Sequence, residues 1–172
     1  MLWISPDVEP MDELPPLTQT LPMLTYRNAT PADLPFIIAL IVEDSVIQTG
    51  DDPADAMHAD YVKALAEITD DPGHEMIVVD DDGEPAGCFQ LSYLPGLMRR
   101  GMKRGMIEVV HVAEARRNRG IGGEMMRWAI ERCREKGCSM VQLTSNKKRL
   151  DAHRFYERLG FLKSHEGFKL YL

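Results

Sequence analysis

The chain has 172 residues, 44% of them hydrophobic, which is enough for one domain with an ordinary core. Its formal net charge of −7 argues against a general nucleic-acid-binding protein. The sequence contains no apolar run of the ~20 residues that a membrane span requires, and no basic start followed by the apolar centre of a secretory signal. We therefore expect a cytoplasmic protein with neither a membrane nor a nucleic acid as partner.

The three cysteines give no framework for folding. Cys88, Cys133 and Cys138 are odd in number and lack Cys-x-x-Cys spacing. This pattern favours reduced thiols in the cytosol and argues against a disulfide framework or a zinc site. We expect no metal, and we interpret each cysteine as a residue that fills the core.

The charges are unevenly distributed along the chain. Residues 1–86 include 2 basic and 19 acidic residues, whereas residues 87–172 include 18 basic and 8 acidic residues. One interpretation is two partners of opposite sign, a polyanionic cofactor at the basic half and a cationic acceptor at the acidic half. The alternative for the acidic half is an ordinary solubilising surface.

In chain order, residues 1–23 contain five prolines and no clear period, which is typical of an extended or mobile arm. A single domain is expected over residues 24–172. It begins with a short strand at Leu24–Arg27 and a helix whose start is capped by Thr30, with Asp33 reaching back.

The remaining elements alternate between helical and strand periods. A break at residues 50–53 precedes the second helix, whose apolar side would contain Met57, Tyr61, Leu65 and Ile68. A basic, glycine-rich loop is expected over Pro95–Gly105. The predicted helices are Ala54–Thr69, Ile121–Lys136 and Asp151–Leu159, and the predicted strands are Met76–Val79, Ala86–Leu94, Met106–Val112, Ser139–Ser145, Phe161–Ser164 and Gly167–Tyr171.

The most informative stretch is Arg116–Gly123, which reads Arg-Arg-Asn-Arg-Gly-Ile-Gly-Gly between a predicted strand and a predicted helix. Glycines at a helix N-terminus let the backbone approach a ligand, and the unpaired first amides favour a phosphate or pyrophosphate. The order of glycines fits neither a Rossmann fingerprint nor a Walker loop. A solvated basic turn is the alternative.

The pattern Arg117-x-x-Gly120-x-Gly122 resembles the pyrophosphate loop of the GNAT N-acetyltransferases. Asn146, followed by Asp151–Phe161, is similar to the second cofactor motif of that superfamily. The resemblance covers about residues 24–172, and the order of elements is that of the GNAT fold. It implies an α/β (α+β) acyl-CoA N-acyltransferase fold with a mixed, mostly antiparallel central sheet, a splayed central strand and helices on both faces.

The resemblance also implies where a cofactor binds. Acetyl-CoA is the expected cosubstrate, with its phosphates on the glycine loop and its arm along the splayed strand and the second motif. The implied cofactor-binding residues are Val110, His111, Val112, Arg117, Asn118, Arg119, Gly120, Ile121, Gly122, Gly123, Asn146, His153 and Tyr156. Arg116 is interpreted as solvated, and four basic residues are candidates for the 3′-phosphate: Lys147, Lys148, Arg149 and Arg154.

The chemistry needs an acid and a base. Tyr156 matches the tyrosine that faces the thioester sulfur in the family, and a tyrosine pKa near 10 suits the protonation of a leaving thiolate. Three candidates for the base remain open, namely Glu108, His111 and solvent. Strand alternation predicts Glu108 on the side of Val110 and Val112, opposite His111. No cysteine–histidine pairing is evident, so direct transfer is expected.

We predict an acetyl-CoA-dependent N-acetyltransferase acting on the primary amine of a small molecule. In the family the acceptor pocket is built from the first two helices and the loop before the central strand, here the acidic Asp51–Asp60 and the basic Pro95–Gly105. A zwitterionic amine would suit both, and the C-terminal stretch also resembles aminoalkylphosphonate acetyltransferases. A protein or peptide N-acetyltransferase and a non-catalytic acyl-CoA sensor are the alternatives. By analogy with relatives, a homodimer is compatible with the sequence.

Overall fold

The computed structural model describes residues 23–45 and 50–172. Its five strands are β1 (Leu24–Asn28), β2 (His74–Asp81), β3 (Glu84–Leu94), β4 (Arg104–Val112) and β5 (Met140–Leu143). They form one mixed sheet in the order β1-β2-β3-β4-β5. Neighbours from β1 to β4 are antiparallel, and β5 runs parallel to β4, which confirms the predicted mixed, mostly antiparallel sheet.

Helices cover both faces of the sheet, as predicted. The helices are α1 (Leu34–Glu43), α2 (Ala59–Asp70), the short turn α3 (Met98–Gly101), α4 (Ile121–Glu135) and α5 (Leu150–Arg158). Apolar residues of α1 and α2 pack with Met76, Val78 and Cys88 on one face, and those of α4 and α5 pack on the other. None of these described helices is long and apolar enough to cross a membrane.

The longest helix, α4, fixes the position of the glycine loop against the sheet. Ile121, Met125, Ala129 and Cys133 recur every four residues and are all buried. A four-residue step keeps side chains on nearly the same face of a helix, so this row faces the sheet along the whole of α4. Their interpretation as core is confirmed. A Cβ atom at Gly122 would lie 3.8 Å from Val112, so α4 starts beside the end of β4.

The predicted capping pattern is present at a 3₁₀ turn, Pro31–Asp33, which leads directly into α1. The Thr30 main-chain N–H donates to Asp33 Oδ2 at 2.7 Å, and the Thr30 hydroxyl donates to the same atom at 2.8 Å. Arg27 from β1 adds two further bonds to the Asp33 carboxylate, of 2.9 Å and 2.7 Å, and a third to Asp80 of 2.9 Å. This ion pair joins the first strand to the turn that begins α1.

The predicted helix Ala54–Thr69 is wrong over its first turn. Asp52 caps only a short 3₁₀ turn at Pro53–Asp55, by accepting a hydrogen bond from the main chain of Ala54 at 2.9 Å. His58 is extended, with φ −52° and ψ 142°, so the helix starts again at Ala59. Met57, expected on the apolar side of the helix, is 56% exposed as a result.

The predicted strands Phe161–Ser164 and Gly167–Tyr171 are wrong, because residues 161–172 form neither helix nor strand. Phe168, Leu170 and Tyr171 expose 80% or more of their surface. The apolar alternation is present in the sequence, but a strand also needs a neighbour that supplies hydrogen bonds and a face to bury.

Most other predicted elements are present, with ends that differ by at most two residues. The proposed arm, residues 1–23, lies outside the described residues except for Met23.

Candidate active site

The central strand β4 pairs with β5 over only half of its length. Arg104–Ile107 are paired with Met140–Leu143, and beyond Ile107 the strand continues to Val112 with no strand partner on that edge among the described residues. This opening confirms the predicted splay. The predicted cofactor residues Val110, His111 and Val112 all lie in the unpaired half, where their main-chain groups can meet a ligand.

The N-terminus of α4 fits a phosphate group. Gly120 is the N-cap with φ 81°, a left-handed conformation that glycine adopts without a steric cost. No described side chain caps this end, so the first-turn amides that follow, at Ile121, Gly122 and Gly123, are unpaired within the helix. Such amides at the positive end of a helix dipole favour an anion.

A buried carboxylate holds the arginines that precede this helix. Asp81, at the end of β2, has a side chain only 2% exposed and bonds Arg116 at 2.8 Å and Arg119 at 2.9 Å. The interpretation of Arg116 as merely solvated is therefore wrong. The pair anchors the loop to the β2–β3 hairpin, because two guanidinium groups compensate one buried charge.

The third arginine of the loop bonds the splayed strand. Arg117 donates from Nε to the main-chain oxygen of Val112 at 2.9 Å and from Nη2 to Glu43 at 2.7 Å. Asn118, between the arginines, has φ 62°, which asparagine tolerates better than most residues. A phosphate at this loop would compete with Glu43 for the Arg117 guanidinium.

The second motif brings Asn146 and His153 together after β5. His153 Nε2 lies 2.9 Å from the main-chain oxygen of Asn146, and the Asn146 side-chain oxygen accepts from the main chain of Lys148 at 3.0 Å. The Ser145 hydroxyl beside them is buried and has no hydrogen-bond partner among the described residues. A buried polar atom of this kind fits a polar ligand in the opening next to β5.

Of the candidates for the 3′-phosphate, three have other partners. Lys147 pairs with Glu166 at 2.7 Å, and Arg154 pairs with Asp151 on its own helix. Arg149 bonds Asp44 at the end of α1. Arg149 therefore faces the space between α1 and α5, on the side of the proposed catalytic groups.

A bulge in β4 changes which residues share a face. Val109 has φ 54°, unusual for a β-branched residue, and the register with β3 shifts between Cys88 and Gln90. Glu108 is paired with Gln90 and His111 with Cys88, two residues on the same side of β3.

The sides predicted for the β4 residues are therefore correct for Val110 and Val112, which lie opposite His111, and wrong for Glu108. Val110 and Val112 pack in the core beneath α4, whereas His111 contacts Asp44 on the opposite side of the sheet. Glu108 lies on the side of His111 and is exposed. Strand alternation failed here because the bulge inserts one residue between the two candidates for the base.

His111 lies in a shielded polar cluster. Its Nδ1 atom is 3.1 Å from Asp44 Oδ2, and its side chain is 11% exposed. Burial lowers the pKa of His111 below 6.5, the Asp44 carboxylate opposes this, and the charges of Arg149 and Arg117 add to the lowering. The ring is consequently neutral at pH 7, the state in which it can accept a proton.

Tyr156, on α5, shares the electrostatic environment of this cluster. Burial raises its pKa above 10, Arg149 lowers it and Asp44 raises it. Its ring packs edge-on against Phe155 and Phe161, with centroids 5.3 Å and 6.0 Å away. The hydroxyl therefore stays protonated at neutral pH and is available as an acid.

Neither a thiolate nor a metal is evident at the site. Burial raises the pKa of both Cys88 and Cys133 to about 12, so these thiols are poor nucleophiles. Within residues 23–45 and 50–172, no group of three or more histidine, cysteine or acidic side chains could hold a metal ion.

Comparisons with known proteins agree with this geometry. A model of the acetyltransferase (GNAT) family matches residues 37–161. The aminoalkylphosphonate N-acetyltransferase of Salmonella typhimurium (strain LT2) is 29% identical over 148 residues, which are 86% of this chain and 91% of that protein.

Two solved structures extend the comparison. A transcriptional regulator from Bacillus halodurans C-125 is 39% identical with a TM-score of 0.82, over 87% of this chain and 99% of that one. A protein from Agrobacterium tumefaciens str. C58, thought to be an acetyltransferase, is 30% identical with a TM-score of 0.70, over 86% of this chain and 99% of that one.

The chain belongs to the acetyltransferase (GNAT) family. It is an N-acetyltransferase, as the family and the Salmonella relative together establish.

Sequence reasoning missed the acidic residues of the site, namely Glu43, Asp44 and Asp81. One signal was available for the first two, because cations rather than acids are favoured at a helix C-terminus. Two acids at the end of α1 therefore indicate cationic partners elsewhere, and Arg117 and Arg149 provide them. No comparable signal distinguishes Asp81 from its neighbours Asp80 and Asp82.

Proposed function

We propose that this N-acetyltransferase uses acetyl-CoA and transfers the acetyl group directly to the primary amine of a small zwitterionic molecule. The observation that carries the proposal is the opening between β4 and β5, with uncapped amides of α4 at one side and a histidine and a tyrosine in a shared electrostatic environment at the other. Bound there, acetyl-CoA would supply a thioester whose carbonyl carbon the amine attacks and whose sulfur leaves.

The chain would bind the coenzyme through two groups of residues. Amides of Gly120–Gly123 and the arginines of the loop would take the diphosphate, each charge-assisted bond contributing roughly 1.5–3 kcal/mol. Main-chain groups of Val110–Val112, with Asn146 and His153, would take the arm. An amide of the splayed strand would also stabilise the developing oxyanion.

The ammonium group of the acceptor must release one proton to solvent before it can attack. Two further proton movements would accompany transfer. The attacking amine must lose a proton, and Glu108, His111 or solvent could accept it. The Tyr156 hydroxyl would donate its proton to the departing sulfur and regain one after product formation. The pKa of Tyr156 lies above 10, so the hydroxyl is protonated at neutral pH and holds a proton for the thiolate.

A small acceptor is supported by the Salmonella relative, whose name gives an aminoalkylphosphonate as its acceptor. The charges around the proposed pocket suit a zwitterion. Asp52 and Asp55 are exposed between α1 and α2, and Arg99 and Arg100 are exposed in the left-handed turn α3. The acids would face an ammonium group and the arginines a phosphonate or carboxylate.

The first prediction tests chemistry and acceptor together. Tyr156→Phe should lower kcat by about 10²-fold or more, the usual range for a general acid, while the affinity for acetyl-CoA stays unchanged. Thiol release from acetyl-CoA would be measured with aminoalkylphosphonates, amino acids, matched amines without the anionic group, and basic peptides. Titration calorimetry would report binding of the coenzyme.

The control is Tyr26→Phe, because Tyr26 stacks on Trp128 at the opposite edge of the sheet, with ring centroids 4.6 Å apart. It should leave kcat unchanged. If only peptides were acetylated, the acceptor would be a peptide and not a small molecule. Acetyl-CoA binding without turnover of any amine would favour a non-catalytic sensor, and absence of binding would defeat the proposal altogether.

A further inference from the structure

Asp44 connects three elements beside the proposed catalytic groups. It directly follows α1, and its Oδ2 atom lies 3.1 Å from Nδ1 of His111 on β4. The same oxygen accepts a hydrogen bond from the guanidinium of Arg149, which precedes α5. The Asp44 and Arg149 side chains are 24% and 29% exposed, so most of the cluster is shielded from water.

This contact determines which ring nitrogen of neutral His111 carries the proton. An ionised carboxylate can only accept hydrogen bonds, so Nδ1 has to be the donor. The lone pair of the neutral ring is then on Nε2, which is the atom left to accept a proton. Arg149 holds the carboxylate in place, because a charged donor and a charged acceptor form a strong bond.

We propose that Asp44 is a positioning residue that fixes His111 as the Nδ1-protonated tautomer and thereby makes Nε2 the proton acceptor for the attacking amine. This inference rests on the proposed function and selects His111 over Glu108 and solvent as the base. As the N–C bond forms and the C–S bond breaks, the amine nitrogen gives its proton to Nε2 and the sulfur takes one from Tyr156. The resulting imidazolium is stabilised by Asp44.

The surroundings of His111 agree with this role. Burial keeps the ring neutral, Asp44 favours its charged form, and Arg149 and Arg117 disfavour that form. The ring is therefore free of a proton before the reaction and has a carboxylate beside it when charge develops. Three further titratable groups lie on neighbouring positions of β4, β3 and α5, namely Glu108, Cys88 and Tyr156.

Nuclear magnetic resonance of the ligand-free full chain tests the tautomer without any turnover. The chain has five histidines, and the signals lost in His111→Gln identify the ring in question. Long-range proton–nitrogen spectra should show Nδ1 protonated in the parent. In Asp44→Asn the pKa of His111 should fall further, since burial and two arginines then act unopposed. A parent ring protonated on Nε2 would overturn the inference.

Kinetics test the consequence for catalysis. Asp44→Asn should lower kcat/KM by on the order of 10²-fold, the contribution expected of a correctly protonated base. The acidic limb of its pH profile should move to lower pH along with the pKa of His111. Asp44→Glu, which keeps a carboxylate, should recover part of the rate. Asp70→Asn, an exposed acid at the end of α2, is the matched control and should change neither quantity.

A second variant covers the case in which Asp44→Asn does not fold. Arg149→Gln keeps the Asp44 carboxylate and removes a cation that lowers the pKa of His111, so the acidic limb should move to higher pH. Acidic limbs that stay in place in every folded variant would overturn the inference. A parent without turnover would instead defeat the proposed function, while the titration of His111 would still decide the role of Asp44.

Discussion

Two acids, the buried Asp81 and the partly buried Asp44, each join two other side chains of this site. Asp81 holds Arg116 and Arg119, and Asp44 holds His111 and Arg149. In each case one carboxylate bonds two side chains from the basic half of the chain. A carboxylate in that position costs desolvation energy, which only its two partners offset, so its removal should affect the attached loop as well as stability.

Replacement of Asp81 should therefore weaken cofactor binding from a distance. Asp81→Asn leaves two guanidinium groups beside a neutral amide, and we expect a loss of about 1–3 kcal/mol in the free energy of unfolding, because both arginines are partly exposed. The loop should also lose order, so the Kd for acetyl-CoA should rise about tenfold. Urea unfolding and titration calorimetry measure the two effects.

Asp82→Asn is the matched control for this variant. Asp82 is exposed and has φ 55°, a conformation that asparagine also tolerates, so neither stability nor binding should change. Tighter binding of the coenzyme by Asp81→Asn would contradict the prediction, since it would mean that Asp81 competes with the phosphates for the arginines.

Residue identity was easier to predict than residue orientation. The sequence motifs indicated Tyr156 and His111, and the structure brings both into the environment of Asp44 and Arg149. The face occupied by Glu108 was predicted wrongly, because no feature of the sequence predicts the bulge at Val109. Val109 is β-branched, and such residues usually indicate a regular strand.

At the level of elements, the turn from β4 to α4 depends on one backbone conformation. Gly120 has φ 81°, and a Cβ atom there would meet no other atom within 4 Å, so any penalty comes from the backbone alone. Gly123 is inside the helix, where a Cβ would touch only the flexible end of Arg127. Substitutions at the two glycines therefore distinguish the contribution of the left-handed turn to stability from that of the helix interior.

Alanine at these two positions should change stability in opposite directions. Gly120→Ala should destabilise the ligand-free protein by about 1 kcal/mol, because the left-handed conformation is less favourable for alanine than for glycine. Gly123→Ala should stabilise it by roughly 0.5–1 kcal/mol, because alanine favours a helix interior. For a chain of this length each change corresponds to a shift of about 2–4 °C in Tm per kcal/mol, which differential scanning calorimetry resolves.

Equal destabilisation by both variants would contradict the assignment of Gly120 as the left-handed N-cap.

Two elements were predicted wrongly because their formation depends on backbone conformation or on distant neighbours that the local pattern does not indicate. Asp52 and Pro53 start only a short 3₁₀ turn that ends at Asp55, and α2 starts separately after the extended residue His58. At residues 161–172 the apolar alternation suggested strands, yet strand formation depends on a neighbour that lies far away in sequence.

Across the described part of the molecule, ion pairs between the two halves of the chain neutralise much of the charge asymmetry. Acids of the first half pair with basic residues of the second half in the described structure, which reduces the charge left for partners. These pairs are Glu43–Arg117, Asp44–Arg149, Glu75–Arg132, Glu75–Lys136, Asp81–Arg116 and Asp81–Arg119. These internal pairs explain part of the asymmetry, and its interpretation as a sign of two partners stays a prediction.

An ion pair within the first half of the chain, Arg27–Asp33, should make the fold sensitive to acid. Arg27, together with hydrogen bonds from Thr30, lowers the pKa of Asp33 from 3.8 to about 2 against the effect of burial. A carboxylate whose pKa is lower in the folded state stabilises the fold above its unfolded value and loses that contribution as protons bind. We expect a loss of about 1–2 kcal/mol from this group between pH 4 and pH 2, seen as a falling Tm in calorimetry.

Arg27→Gln should flatten that decline, because it removes the main cause of the low pKa and brings the folded value of Asp33 closer to the unfolded one. Its Tm should be lower than that of the parent at pH 5 and should approach it near pH 2. Arg134→Gln removes an exposed pair with Glu131, whose side chains are 54% and 60% exposed, and should follow the parent at every pH. Parallel curves for Arg27→Gln and the parent would mean that Asp33 titrates alike in the folded and unfolded chain, and the acid sensitivity would then have to come from other carboxylates.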